Sequence, residues 1–156
     1  MITLANRQRH VRFDGRWLRR FAAGALPRCV AECADDLRQL GSLAELEISV
    51  VSDRTIARVH LEFMHIPGAT DVITFGHGEL VMSAQTAAVC AREHGHPVEA
   101  ELALYTVHGM LHLNGWTDGT RRDAGRMHRV QDRVWRACLA ALPPPCTPNA
   151  PSSPSP

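Results

Sequence analysis

Polar and apolar positions along this chain change rhythm between two periods. Leu46, Ile48 and Val50 alternate with Glu45, Glu47 and Ser49, the period of two that gives a strand one wet face. Val11 and Phe13 share one side of a first alternating segment within Met1 to Asp14. Two further strands are expected at Asp71 to Phe75 and Glu79 to Ser83, joined by a tight Gly76-His77-Gly78 turn. Between these segments the period lengthens. From Arg16 to Leu40, Val30, Cys33, Leu37 and Leu40 recur at three- and four-residue steps, as on one face of a helix, and Pro27 is expected to start or kink it. A short helix capped by Ser52 or Asp53 should run to about Phe63. Another, capped by Ser83, should reach about Glu93. A third should begin at Pro97 and end at Asn114-Gly115. The last should open on Thr120 and Asp123 and end near Leu142.

This pattern predicts an α/β (more strictly α+β) domain over residues 1–142, with a mixed four-stranded sheet and about five helices. Pro143-Pro144-Pro145 opens a proline- and serine-rich stretch to Pro156 that lacks the apolar residues of a core and is expected to be a disordered tail. The 156 residues suit one domain, and 45% hydrophobic against 21% charged is globular composition. Cysteines at 29, 33, 90, 138 and 146 show no paired motif of a disulfide framework. No cleavable leader pattern opens the chain and no apolar run reaches the ~20 residues of a membrane span, so a cytoplasmic setting is expected.

The segment that carries chemistry is His108-Gly-Met-Leu-His112-Leu-Asn-Gly-Trp-Thr-Asp118. Histidines four apart on a helix project from one face and can offer nitrogens to a single ion. The helix breaks at Gly115, so the chain can turn back and bring Asp118 as a third ligand. Three protein ligands leave a coordination position open, as catalytic zinc requires. The metalloprotease pattern, in which glutamate follows the first histidine as general base, is excluded because Gly109 stands there. Glu101 lies on the same helix face, seven residues before His108; it could approach the ion, but a place at the surface or behind the ligands is expected.

The same segment resembles the signature of the YbeY family of metal-dependent endoribonucleases, H-G-x-L-H-L-x-G-[YW]-D-H, through His108, Gly109, Leu111, His112, Leu113, Gly115 and Trp116. Thr70-Asp71-Val72-Ile73-Thr74-Phe75 is similar to the family's P-T-D-V-L-S-F strand, Gly78-Glu79-Leu80 to its G-D-I strand, and Asn6-Arg7-Gln8-Arg9 to its N-terminal segment. The resemblance implies one zinc per chain and cleavage of RNA in ribosomal RNA processing, with rRNA precursors and the ribosomal subunit as partners. Two positions depart. The family's third histidine falls on Asp118 and the acidic residue before it on Thr117. An arginine that the family places before the P-T-D strand falls on Met64, with Arg58 and His65 as the nearby candidates to replace it.

All 17 basic residues are arginine. On the last helix Arg122, Arg126, Arg129, Arg133 and Arg136 recur at steps of four and three, one stripe opposite Met127, Val130, Val134, Cys138 and Ala141. Such a stripe suits a phosphate backbone and equally a plain solvated face. Without interleaved aromatics it is no single-strand stacking platform. Three functions therefore stand: a zinc endoribonuclease, a divergent RNA-binding ribosome-assembly factor that keeps a structural metal, and a small-molecule metal hydrolase.

Overall fold

The structure, a computed structural model, describes residues 1–34 and 39–146. Its strands are β1 (Ile2–Asn6), β2 (Leu46–Val51), β3 (Val72–Phe75) and β4 (Glu79–Ser83). Its helices are α1 (Gly15–Ala31), α2 (Gln39–Ser42), α3 (Asp53–Met64), α4 (Ala84–His94), α5 (Val98–Leu113) and α6 (Arg121–Ala140). The sheet order is β1-β2-β4-β3, with β1, β2 and β4 parallel and β3 antiparallel along β4. This is the expected mixed sheet. The helix beyond the expected five, α2, is a single four-residue turn.

The period of two sorts side chains to the two faces of the sheet. Leu46, Ile48, Val50, Leu80 and Met82 point into the main core with α1 and α5. Val51, Val81 and Ile73 meet Ile56 of α3 in a smaller core. Twelve of the 16 residues of α5 are buried, as a helix enclosed on all sides requires. It lies against the sheet on one side and against α1, α4 and α6 on the others. The caps are those expected: Ser52, Ser83 and Thr120 each accept a backbone N–H at the head of α3, α4 and α6.

Four expectations change. Val11 and Phe13 do not form a strand, because the side chain of Gln8 takes over the local backbone. Its Oε1 accepts from the N–H groups of His10 and Val11, and its Nε2 donates to the Val11 carbonyl. Both apolar residues still pack against the core. The helix expected over 16–40 ends at Ala31 and a separate turn begins at Gln39; Leu37 lies outside the described residues. Pro27 sits inside α1. Its missing N–H removes a partner from the carbonyl of Ala23, and both residues are exposed, so the freed carbonyl is open to solvent. Finally, the first residues of the expected tail touch the domain: the Trp17 indole donates to the Pro143 carbonyl (2.7 Å) and the Cys146 N–H to Asp14 (3.2 Å). An exposed indole N–H can hydrogen-bond water, but Trp17 is only 2% exposed and needs this partner. The rest of the expected tail, residues 147–156, lies outside the described residues.

Candidate metal centre

The last two turns of α5 rest directly on the sheet. A Cβ built on Gly109 would lie 2.6 Å from a Leu80 methyl and 3.2 Å from the Thr74 hydroxyl. Glycine is therefore required by the close approach of helix to strand, and no glutamate fits where a metalloprotease carries its base. His108 and His112, on the flank of α5 beside Gly109, face a cleft of about 360 Å³ whose walls include Gln39, Met64, Thr74 and Asp118.

Each imidazole has a hydrogen-bond acceptor behind it. His108 Nδ1 donates to Gln131 Oε1 of α6 (2.7 Å), and His112 Nδ1 donates to the Trp116 carbonyl (3.0 Å). With the ring hydrogens committed to Nδ1, both Nε2 lone pairs point forward, and they meet at 3.0 Å. Two bare lone pairs repel at that distance, so the arrangement calls for a cation between them. Asp118 Oδ2 stands 3.5 Å from His108 Nε2 and 3.6 Å from His112 Nε2. A tetrahedral ion with bonds of ~2.0–2.1 Å separates its ligands by about 3.3 Å. The residues fit zinc. Burial is the main influence on His108 and lowers its pKa, with its Gln131 hydrogen bond and Asp118 opposing. The ring is thus held in the neutral form that binds metal.

The loop that brings Asp118 round is anchored to the end of α1. Asn114, fully buried, donates through Nδ2 to the carbonyls of Cys29, Val30 and Glu32, and the Trp116 indole donates to Glu32 as well (2.7 Å). The Cys29 carbonyl also accepts the Glu32 N–H (3.1 Å), and all three carbonyls lie at the C-terminal end of α1, where the helix itself offers too few donors. One set of bonds therefore closes α1 and fixes the metal loop.

Met64 lines the cleft, whereas Arg58 and His65 are exposed on α3 and just after it, outside the cleft lining. All five arginines of the α6 stripe are exposed. Among the described residues three have partners: Arg126 lies over the Trp116 ring (5.9 Å), Arg136 over Trp135 (5.8 Å), and Arg133 pairs with Glu32. Gln131 was not singled out from sequence, although a polar residue on the Met127–Val134 face of α6 is the signal that would have found it. The Glu101 carboxylate is paired with His94 and His96. Each of these two groups, His108-His112-Asp118 and His94-His96-Glu101, brings its ligand atoms within 4.8 Å of one another, and both could hold a metal ion. No helix among the described residues is long and apolar enough to cross a membrane.

Known proteins place this geometry in context. The chain is similar to Endoribonuclease YbeY of Symbiobacterium thermophilum, at 34% identity over 128 residues, covering 70% of this chain and 82% of the relative. It is 36% identical over 103 residues to Endoribonuclease YbeY of Myxococcus xanthus, covering 58% of this chain but 35% of that protein. Its fold is similar to the solution structure of TM1509 from Thermotoga maritima, with a TM-score of 0.61 and 22% identity over 90% of this chain and 91% of that one. The family model described as Endoribonuclease YbeY matches residues 4–138, a span that takes in all four strands but β1's first residues and reaches deep into α6. The chain belongs to the YbeY family of endoribonucleases.

Proposed function

We propose that this protein is a zinc-dependent endoribonuclease that cuts RNA phosphodiester bonds in the cytoplasm, acting on ribosomal RNA precursors and so serving ribosome maturation. One observation carries the metal-dependent part: two Nε2 lone pairs at 3.0 Å, aimed by acceptors behind each ring, with a carboxylate oxygen 3.5 and 3.6 Å away. The family supplies the RNA.

His108, His112 and Asp118 would hold the ion. When bound, it supplies Lewis acidity toward a phosphoryl oxygen and promotes the ionisation of water. Gln131 and the Trp116 carbonyl keep the two imidazoles neutral and oriented. Asp118, 41% exposed on its side chain, leaves the group open to the cleft. An aspartate in place of a third histidine lowers the charge of the loaded group by one unit, which weakens the Lewis acid and disfavours the ionisation of water. Thr74 offers a hydroxyl in the cleft wall that can donate to a phosphate oxygen. The exposed arginines of α6 would guide the strand.

Met64 in the cleft wall favours a second reading: a ribosome-assembly factor that binds RNA and keeps its metal but cleaves little. Purified protein incubated with structured ribosomal RNA, with and without chelator, separates the two. Chelator-sensitive cleavage supports the endoribonuclease. Stoichiometric zinc with RNA binding and no cleavage supports the assembly factor, and Met64→Arg should then raise cleavage. Hydrolysis of small phosphate esters in preference to RNA would overturn both.

A further inference from the structure

We infer that His94, His96 and Glu101 form a second metal site, selective for borderline divalent cations such as zinc, at the corner where α4 turns into α5. Glu101 is 2% exposed, and a carboxylate so buried needs compensation. Among the described residues its ion pairs are with two imidazoles converging on one oxygen: His96 Nε2 lies 2.6 Å and His94 Nδ1 3.5 Å from Glu101 Oε2. Two imidazole nitrogens and a carboxylate oxygen are a zinc-type donor set.

The corner is shaped for a cation in two further ways. His94 ends α4, where the helix dipole favours positive charge. The His96 ring is held edge-on by Trp135 of α6, with centroids 5.6 Å apart, while His94, 58% exposed on its side chain, leaves an entry path. The His94–Glu101 separation is already near the ~3.3 Å edge of a tetrahedral zinc centre. The 2.6 Å bond is a hydrogen bond, so the entering ion displaces the shared proton to solvent and moves His96 outward. That rearrangement makes this the weaker of the two sites.

The test is a calorimetric titration of chelator-stripped, full-length protein with Zn²⁺, repeated with Co²⁺ and followed by visible absorption. Two saturable events per chain are expected, the second weaker by about tenfold or more, the scale that outer-shell support contributes. His94→Ala, a change at an exposed residue, should weaken the second event at least tenfold and leave the first unchanged. His112→Ala should do the converse. His96→Gln, which retains a donor toward Glu101, checks that loss of binding is not loss of fold, because circular dichroism should be unchanged while the second event disappears. A single event at saturation, or a second one that His94→Ala does not alter, would overturn the inference.

Discussion

Helix α5 takes part in a histidine–histidine–carboxylate group at each end, and the two ends use the same donors differently. At the C-terminal end each imidazole gives its hydrogen to an oxygen behind it, and the free lone pairs face each other. At the N-terminal end the carboxylate lies in front, so the imidazole nitrogen nearest to it is engaged in a hydrogen bond. Readiness for metal thus depends less on the ligands than on what stands behind them. Gln131 and the Trp116 carbonyl pre-set one end, while the other must exchange a proton before it can bind.

The largest break in this contrast should come from His112→Ala or Asp118→Ala. Each should reduce tightly held zinc, measured by elemental analysis after gel filtration, from about one per chain to a small fraction. Full retention in both variants would assign the tight ion to the other end of α5. Next comes Gln131→Leu, which keeps the volume and removes the acceptor. Zinc affinity at the C-terminal end should fall by about 10–100-fold, with no change at the other end, in a chelator-competition assay. An affinity within twofold of the parent would mean that Gln131 does not aim His108.

Gly109→Ala should destabilise the fold by about 1–3 kcal/mol in urea unfolding, since the new methyl meets Leu80 at 2.6 Å; a neutral result would show that the metal end of α5 is free to lift off the sheet. The stripe on α6 runs between the two ends, from Arg126 beside Trp116 to Arg136 beside Trp135. Changing Arg126, Arg129 and Arg133 together to glutamine should preserve the helix. If all three touch phosphates, the salt dependence of single-strand binding should flatten by about two log–log units, ~0.7 for each contact. An unchanged slope would return the stripe to solvated surface. The smallest effect belongs to the C-terminus. Deleting residues 147–156 should leave the melting temperature nearly unchanged. Cutting at Pro143 removes the partner of the buried Trp17 indole, at a cost of about 0.5–1.5 kcal/mol, and equal melting temperatures would mean that this bond contributes nothing.

What the sequence revealed follows from the range of the forces involved. The alternation from Leu46 to Val50, the Ser52, Ser83 and Thr120 caps and the Asn114-Gly115 stop are written within a few residues, and all were legible. The four-residue step from His108 to His112 belongs to the same class. Gln8, Gln131 and Asn114 act through bonds that no periodicity encodes. Gln8 ends a strand pattern by bonding its own neighbours, and Gln131 reaches a ligand 23 residues away. Asn114 read as a helix stop from sequence, but its side chain also caps a helix over 80 residues earlier. The pairing of His94 and His96 with Glu101 was missed for a related reason. The turn at Gly95, with a φ of 68°, folds the α4 end onto α5, so residues that seemed to lie along one helix face or before it became neighbours.

Trp116 joins three parts of the molecule through three different groups. Its carbonyl holds His112, its indole N–H holds the end of α1, and its ring lies under Arg126. This makes the residue a built-in optical gauge. Zinc held at His112 as proposed would draw on the imidazole whose hydrogen rests on the Trp116 backbone, and a phosphate that took Arg126 would uncover the ring face. If zinc and RNA bind as proposed, both events would change the surroundings of one ring among the chain's three tryptophans, so the emission of Trp116 would carry a contribution from the loading of the site and another from the approach of the strand.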